Sequence, residues 1–290
     1  MRLNRFDPSN IRVGTTGRGG GFPGGGGGKI GCGTLVIVLI GALVFGVDPG
    51  QMLGTLEGSG QQAPVERQAG SQQSAEELCT SNQYALETCN ALSSLNDTWE
   101  VIFREQNVEF AQPQLRFATS DRFRSGCGAA SSGMGPFYCP ADQGIYIDTR
   151  FYDTMSRELG AGGDFARYYV IAHEYGHHIQ TITGVAAQIR SAQQQDPRQA
   201  NRLQVVMELQ ADCYAGVWAG KNRNLIEPGD MEEGLRAASA IGDDTLQRQA
   251  GQRVNPESFT HGTSAQRVQA LRLGLETGDD RQCDRIVELR

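Results

Sequence analysis

Histidine is scarce in this 290-residue sequence, with four in all, so any chemistry that needs imidazole has few residues to draw on. No C-x-x-C pair occurs among the seven cysteines, which argues against a metal site built from paired thiolates. No internal repeat recurs, and the chain is therefore not a stack of like units. Charge is missing altogether from residues 30–47. Residues 1–29 carry a net +4, and set against −7 for the whole chain this leaves −11 for the remainder. A remainder so acidic has no electrostatic footprint for nucleic acid. The basic stretch before residue 30 could be read as a nucleic-acid arm, but its place ahead of an apolar run has a simpler explanation.

Glycine, by contrast, is abundant at 38 residues, and many fall before residue 34, including the run Gly24 to Gly28. Residues 1–29 accordingly read as a flexible, basic tail. The 18 residues from Ile30 to Val47 are apolar, interrupted only mildly by Cys32 and Thr34. A helix of that length spans about 27 Å, close to the hydrocarbon thickness of a bilayer, so residues 30–47 are expected to be a single transmembrane helix. Basic residues precede it and acidic ones follow. The positive-inside rule then puts the N-terminus in the cytoplasm and the C-terminal domain on the extracytoplasmic side. A cleaved signal peptide would have a shorter apolar stretch and an A-x-A-like site. A lipoprotein signal would place a cysteine after the run rather than at Cys32, and a buried core helix would not adjoin a glycine-rich tail. Residues 48–73, rich in Gln, Gly and Ser, read as a disordered polar stalk. Residues 74–290 remain, enough chain for a real core.

Cysteine usage agrees with export. Beyond Cys32 there are six: Cys79, Cys89, Cys127, Cys139, Cys213 and Cys283. An even number after such a segment reads as disulfides in an oxidising compartment. Proximity suggests the pairs 79–89, 127–139 and 213–283. If Cys79 and Cys89 are bonded they cannot share one straight helix, because ten residues there span about 15 Å. Buried unpaired thiols are the alternative.

Ser74-Ala-Glu-Glu has the form of a capping box, and apolar residues continue to Trp99, Ile102 and Phe103. Pro113 to Thr119 and Gly144 to Asp148 read as short strands, with a loop-rich stretch over residues 125–144 between them. Asp164 can cap a helix that ends near Gly184. A second long helix runs through Leu203, Val206, Leu209 and Trp218, and shorter ones are expected around 230–241 and 264–273. Strands ahead of helices predict an α+β domain, mainly helical with a small sheet.

His173 and His177 stand four residues apart in His173-Glu174-Tyr175-Gly176-His177, so a helix stacks both rings on one face. That spacing suits one zinc ion per chain, with Glu174 beside the metal where it can work on bound water. A third ligand is needed. The motif does not continue as H-x-x-G-x-x-H, because Gln180 and Thr183 stand where Gly and His would be. The best donor is Glu208, on the next long helix. Asp212 lies one turn further on and can accept the other ring N–H of a ligating histidine. If Asp212 were instead the ligand, Glu208→Gln would spare the metal and Asp212→Asn would abolish it. A solvated His/Glu face without metal is the plainer alternative, weakened by three of the four histidines falling within six residues. His178 points roughly 100° away from His177 and is expected to pack rather than ligate. His261 is a candidate donor to a developing oxyanion, or else an ordinary loop residue before a helix capped by Thr263 or Ser264.

The pair Glu208 and Asp212 looks like the second motif of gluzincin metallopeptidases, the thermolysin-like class. Beyond that, residues 127–142, 145–148, 169–180 (YVIAHEYGHHIQ), 208–219 (ELQADCYAGVWA), 241–244 (IGDD) and 259–267 (FTHGTSAQR) together resemble the bacterial neutral zinc metallopeptidase family of single-pass membrane proteins. The resemblance implies a zincin-like ectodomain, one zinc ion and an N-terminal anchor, with a protein or peptide as substrate. The expected chemistry is peptide-bond hydrolysis, with His173, His177 and Glu208 holding zinc, Glu174 as general base and His261 as a further catalytic residue. Residues 145–148 are a candidate edge strand for an extended substrate. Two rivals stand beside this reading: a non-enzymatic envelope-protein binding module with structural zinc, and a zinc amidase acting on a non-protein amide.

Overall fold

A computed structural model describes residues 1–16 and 73–287 of the protein. The anchor expected at 30–47 lies outside the described residues, as do residues 17–29 of the tail and all of the expected stalk except Gln73. Among the described residues no helix is long and apolar enough to cross a membrane.

In chain order the elements are β1 (Arg12–Thr15), α1 (Ala75–Cys79), α2 (Gln83–Glu105), β2 (Gln114–Phe117), β3 (Arg122–Ser125), β4 (Gly128–Ser131), β5 (Phe137–Cys139) and β6 (Gly144–Ile147). Helices follow: α3 (Phe151–Arg157), α4 (Asp164–Ile182), α5 (Val185–Gln195), α6 (Ala200–Lys221), α7 (Asp230–Ala240), α8 (Asp243–Gln249), α9 (Ser264–Thr277) and α10 (Asp280–Asp284). Mainly helical with a small sheet, this is the α+β composition expected.

Local chemistry explains the boundaries. Ser74 caps α1 through a reciprocal capping box with Glu77. The chain then breaks at residues 80–82 and restarts at α2, whose Asn82 cap accepts from Ala85 N–H. That break lets Cys79 reach Cys89 with their Cα atoms 5.8 Å apart. The other bridges, Cys127–Cys139 and Cys213–Cys283, also follow the pairing by proximity. The last ties α6 to α10 across 70 residues of sequence, a closure worth about 4 kcal/mol in the chain-entropy account. One core gathers Leu92, Leu95 and Trp99 of α2, Ile171 and Tyr175 of α4, and Val217 and Trp218 of α6. α4 and α6 pack side by side at its centre, with α9 against α6.

The sheet has the order β1-β2-β6-β5; the first three strands are parallel and β5 is antiparallel to β6. β3 and β4 form a separate hairpin. Three expectations need correcting. The stretch 125–144 is not simply loop: it holds β4, β5 and the end of β3, each too short for alternation to show. Residues 145–148 do not form an edge, since β6 is paired on both sides and the edge strands are β5 and β1. The third concerns the tail: residues 1–16 are not a flexible appendage. β1 pairs with β2 along four residues, and Phe6 and Ile11 are buried in the main core. The Met1 amino nitrogen lies 2.7 Å from Asp230 and 3.1 Å from Asp164, pairing with acids at the starts of α7 and α4. A composition rich in Gly and Arg concealed a strand whose stability comes from its partner.

Candidate metal centre

α4 carries His173, Glu174 and His177, and α6 carries Glu208 and Asp212. The two helices approach closely because residue 176 is glycine: a Cβ there would sit 2.8 Å from the Cα of Ala211. Donor atoms of His173, His177 and Glu208 consequently lie within 4.8 Å of one another. Glu208 Oε2 is 3.2 Å from His173 Nε2 and 3.5 Å from His177 Nε2. Both rings thus turn Nε2 inward, and each is held from behind through Nδ1. Asp212 Oδ1 stands 2.8 Å from His173 Nδ1, and Gln180 Oε1 stands 2.9 Å from His177 Nδ1. Gln180 is itself fixed by donating to the Met207 carbonyl and to Gln210.

Asp212 is fully buried and heavily engaged. It accepts from the Tyr169 hydroxyl at 2.6 Å and from two Arg267 nitrogens at 2.8 and 2.9 Å. Burial opposes its charge, but Arg267 and His173 prevail and hold its pKa down at about 2. Burial likewise opposes a charged ring at His173, yet the Asp212 and Glu208 carboxylates raise its pKa to about 10. Glu208 is driven well below the usual carboxylate range: burial opposes this, and His177 and His173 outweigh it. Gln204 steadies its second oxygen, donating to Oε1 at 2.9 Å. The donor set, two imidazoles and one carboxylate with the outer nitrogens tied back, fits zinc with a coordination position left for solvent.

The centre opens into a cavity of about 390 Å³. Glu174 lines it, and among the described residues no hydrogen bond or ion pair engages its carboxylate. Also on the wall are Phe137 and Tyr138 of β5, and Ala129 and Ala130 of the β3–β4 hairpin. His261 reaches the same cavity from the loop before α9. Its Nδ1 lies 3.1 Å from Asp243 Oδ1, while Asp243 Oδ2 accepts the backbone N–H groups of Thr260, His261 and Gly262. His178 points elsewhere, between the Tyr138 hydroxyl and the Ala111 carbonyl, and burial pushes its pKa down to about 4.

The structure therefore brings His173, Glu174, His177, Glu208, Asp212 and His261 to one place and keeps His178 out of it. Sequence reasoning passed over Tyr169, Gln180, Gln204, Asp243 and Arg267. Three of these carried a usable signal: Tyr169 and Gln204 sit one turn before His173 and Glu208, and Gln180 three residues after His177.

The chain is 44% identical over 287 residues to "Uncharacterized protein YpfJ" of Escherichia coli K12, covering 97% of this chain and 94% of that protein. It is 40% identical over 209 residues to "Uncharacterized protein Mb2605" of Mycobacterium bovis, covering 68% and 69% respectively. No solved structure matches. Residues 4–286 match the family described as "Putative neutral zinc metallopeptidase", and the chain belongs to that family.

Proposed function

We propose that the protein is a zinc-dependent metallopeptidase that cleaves peptide bonds. We further propose that it is associated with a membrane through residues 30–47, with its disulfide-bonded domain in an oxidising, extracytoplasmic compartment. One observation carries the catalytic reading. Three ligand atoms converge within 4.8 Å on the wall of a cavity into which an unengaged carboxylate, Glu174, also projects. A purely structural zinc site closes with four protein ligands. Among the described residues this cluster has three, and the acid beside it would have no structural use.

Zinc held by His173, His177 and Glu208 would supply Lewis acidity toward water and the scissile carbonyl. Asp212 and Gln180 keep the two rings in the orientation that ligation needs. Glu174 takes the proton from the attacking water and passes it to the leaving amine. His261, oriented through Nδ1 by Asp243, offers Nε2 to the carbonyl oxygen as negative charge develops there. The outer edge of β5, beside the cavity, can pair with the backbone of an extended substrate.

The test is metal analysis of the purified protein, followed by peptide-library cleavage with wild type and Glu174→Gln. One zinc per chain and cleavage lost in the variant, with zinc retained, are expected. A protein that binds no zinc, or a variant that cleaves like wild type, would sink the reading.

A further inference from the structure

The N-terminal segment is built into the domain as an interior element is. Thr16 N–H continues the β1–β2 ladder to the Phe117 carbonyl at 2.9 Å, and the Thr119 hydroxyl returns to the Thr16 carbonyl at 2.9 Å. Upstream, Phe6 and Ile11 are only 3% and 6% exposed, and the Asn90 side chain accepts Phe6 N–H at 2.9 Å. Asn96 of α2, fully buried, donates to the Asn10 carbonyl at 2.6 Å and accepts from the Tyr175 hydroxyl at 2.8 Å. With residues 1–16 withdrawn, that amide would lose its acceptor inside the protein, and the edge of β2 would be laid open. Phe6 and Ile11 would leave two vacancies in the core. Parallel pairing needs a long connection between its strands, and residues 16–113, which include α1 and α2, provide one.

We infer that residues 1–16 and 73–287 lie on the same side of any membrane the chain meets. A single crossing through residues 30–47 would put a hydrocarbon layer roughly 30 Å thick between β1 and β2. Neither the molecule's own strand nor that of a second, equally oriented copy could then complete the sheet. This differs from the sidedness expected from charge alone. The positive-inside rule weighs Arg and Lys near an apolar run, whereas Arg2, Arg5 and Arg12 belong to a segment that folds with the domain. The inference rests on the packing of residues 1–16 and is independent of whether the metal centre is catalytic.

The full-length chain, with Cys32→Ser as background, tests it. Asn4→Cys and, separately, Arg198→Cys place a thiol at an exposed position of the segment and of the domain. Intact cells are treated with a membrane-impermeant maleimide. Both positions should be labelled to the same extent, or both protected until the membrane is opened. Labelling of one and protection of the other would overturn the inference. In the same membranes, without detergent, Arg5→Lys should be joined to Glu76, its ion-pair partner, by a zero-length carbodiimide. Glu76→Gln should abolish that product. Equal labelling without the cross-link would also overturn the proposal, because the segment would then share the compartment without docking.

Discussion

Gly176 and Ala211 meet backbone to backbone: a Cβ built on residue 176 would lie 2.8 Å from the Ala211 Cα and 2.9 Å from its carbonyl oxygen. The contact sits between His173 and His177 on one helix and between Glu208 and Asp212 on the other, so it sets the spacing of the metal centre. Gly176→Ala must push the helices apart. The expected cost is about 1–3 kcal/mol of stability, together with weaker zinc binding as Glu208 recedes from the rings. Chemical denaturation and zinc titration check both. Wild-type values in the two measurements would mean that the helices do not depend on this contact.

Asp212 joins the centre to the rest of the fold, since His173, Tyr169 and Arg267 all converge on its carboxylate. Asp212→Asn removes the charge and leaves the fully buried Arg267 guanidinium without a counter-ion. Breaking a buried pair in this way typically costs about 3–5 kcal/mol. Zinc affinity should fall roughly 10- to 100-fold through the loosened His173 ring. Arg267→Met should weaken zinc less, because Tyr169 and His173 still hold Asp212. Competition against a chromogenic chelator ranks the two variants. The reverse order would show that Arg267, not Asp212, governs the ring.

Much of this centre was legible in the sequence because helical periodicity is local. His173 with His177, and Glu208 with Asp212, are each one turn apart, so a single helix assumption places them. The disulfides were legible for a related reason: 79–89 and 127–139 span 10 and 12 residues, and nearest neighbours paired. Arg267 and Asp243 were not legible in the same way. Arg267 meets Asp212 55 positions away, and Asp243 meets His261 18 positions away, across loops whose path no periodicity records. β1 has only four residues and is held by pairing with β2 and by packing of Val13 on the core, neither of which is local, so composition misled. Strand order, which makes β5 rather than β6 the edge, is likewise a property of the folded sheet.

His261 is suited to test catalysis separately from metal binding. It touches neither His173 nor His177 through any hydrogen bond, and Asp243 holds it. His261→Ala should leave zinc content unchanged and lower kcat by about 10²–10³, the usual effect of losing one oxyanion donor. Asp243→Asn should lower kcat as well, and should also loosen the loop, because the Asp243 carboxylate gathers three backbone N–H groups. Metal analysis with steady-state kinetics separates the cases. A His261→Ala enzyme with full kcat would remove the residue from the mechanism.

The bridge Cys127–Cys139 differs from the other two in exposure. Cys127 is exposed at the tip of the β3–β4 hairpin, whereas Cys79, Cys89, Cys139, Cys213 and Cys283 are all 0% exposed. A thiolate reductant needs access to a sulfur, so graded reduction should open this bridge first. Its loop of about a dozen residues is worth about 3 kcal/mol in chain entropy. Its local effect is larger, because the hairpin is then held beside β5 by the Gly126 N–H to Asp142 hydrogen bond and by packing such as Phe123 on Phe137 and Tyr146. Because the hairpin forms part of the cavity wall, the Cys127→Ser, Cys139→Ser double variant should keep its zinc and show a raised KM. Mass-spectrometric counting of alkylated thiols during graded reduction, alongside kinetics of the double variant, tests the two halves of the claim. If Cys213–Cys283 opened first, or if KM were unchanged, the hairpin would not be acting as a clamped wall of the substrate site.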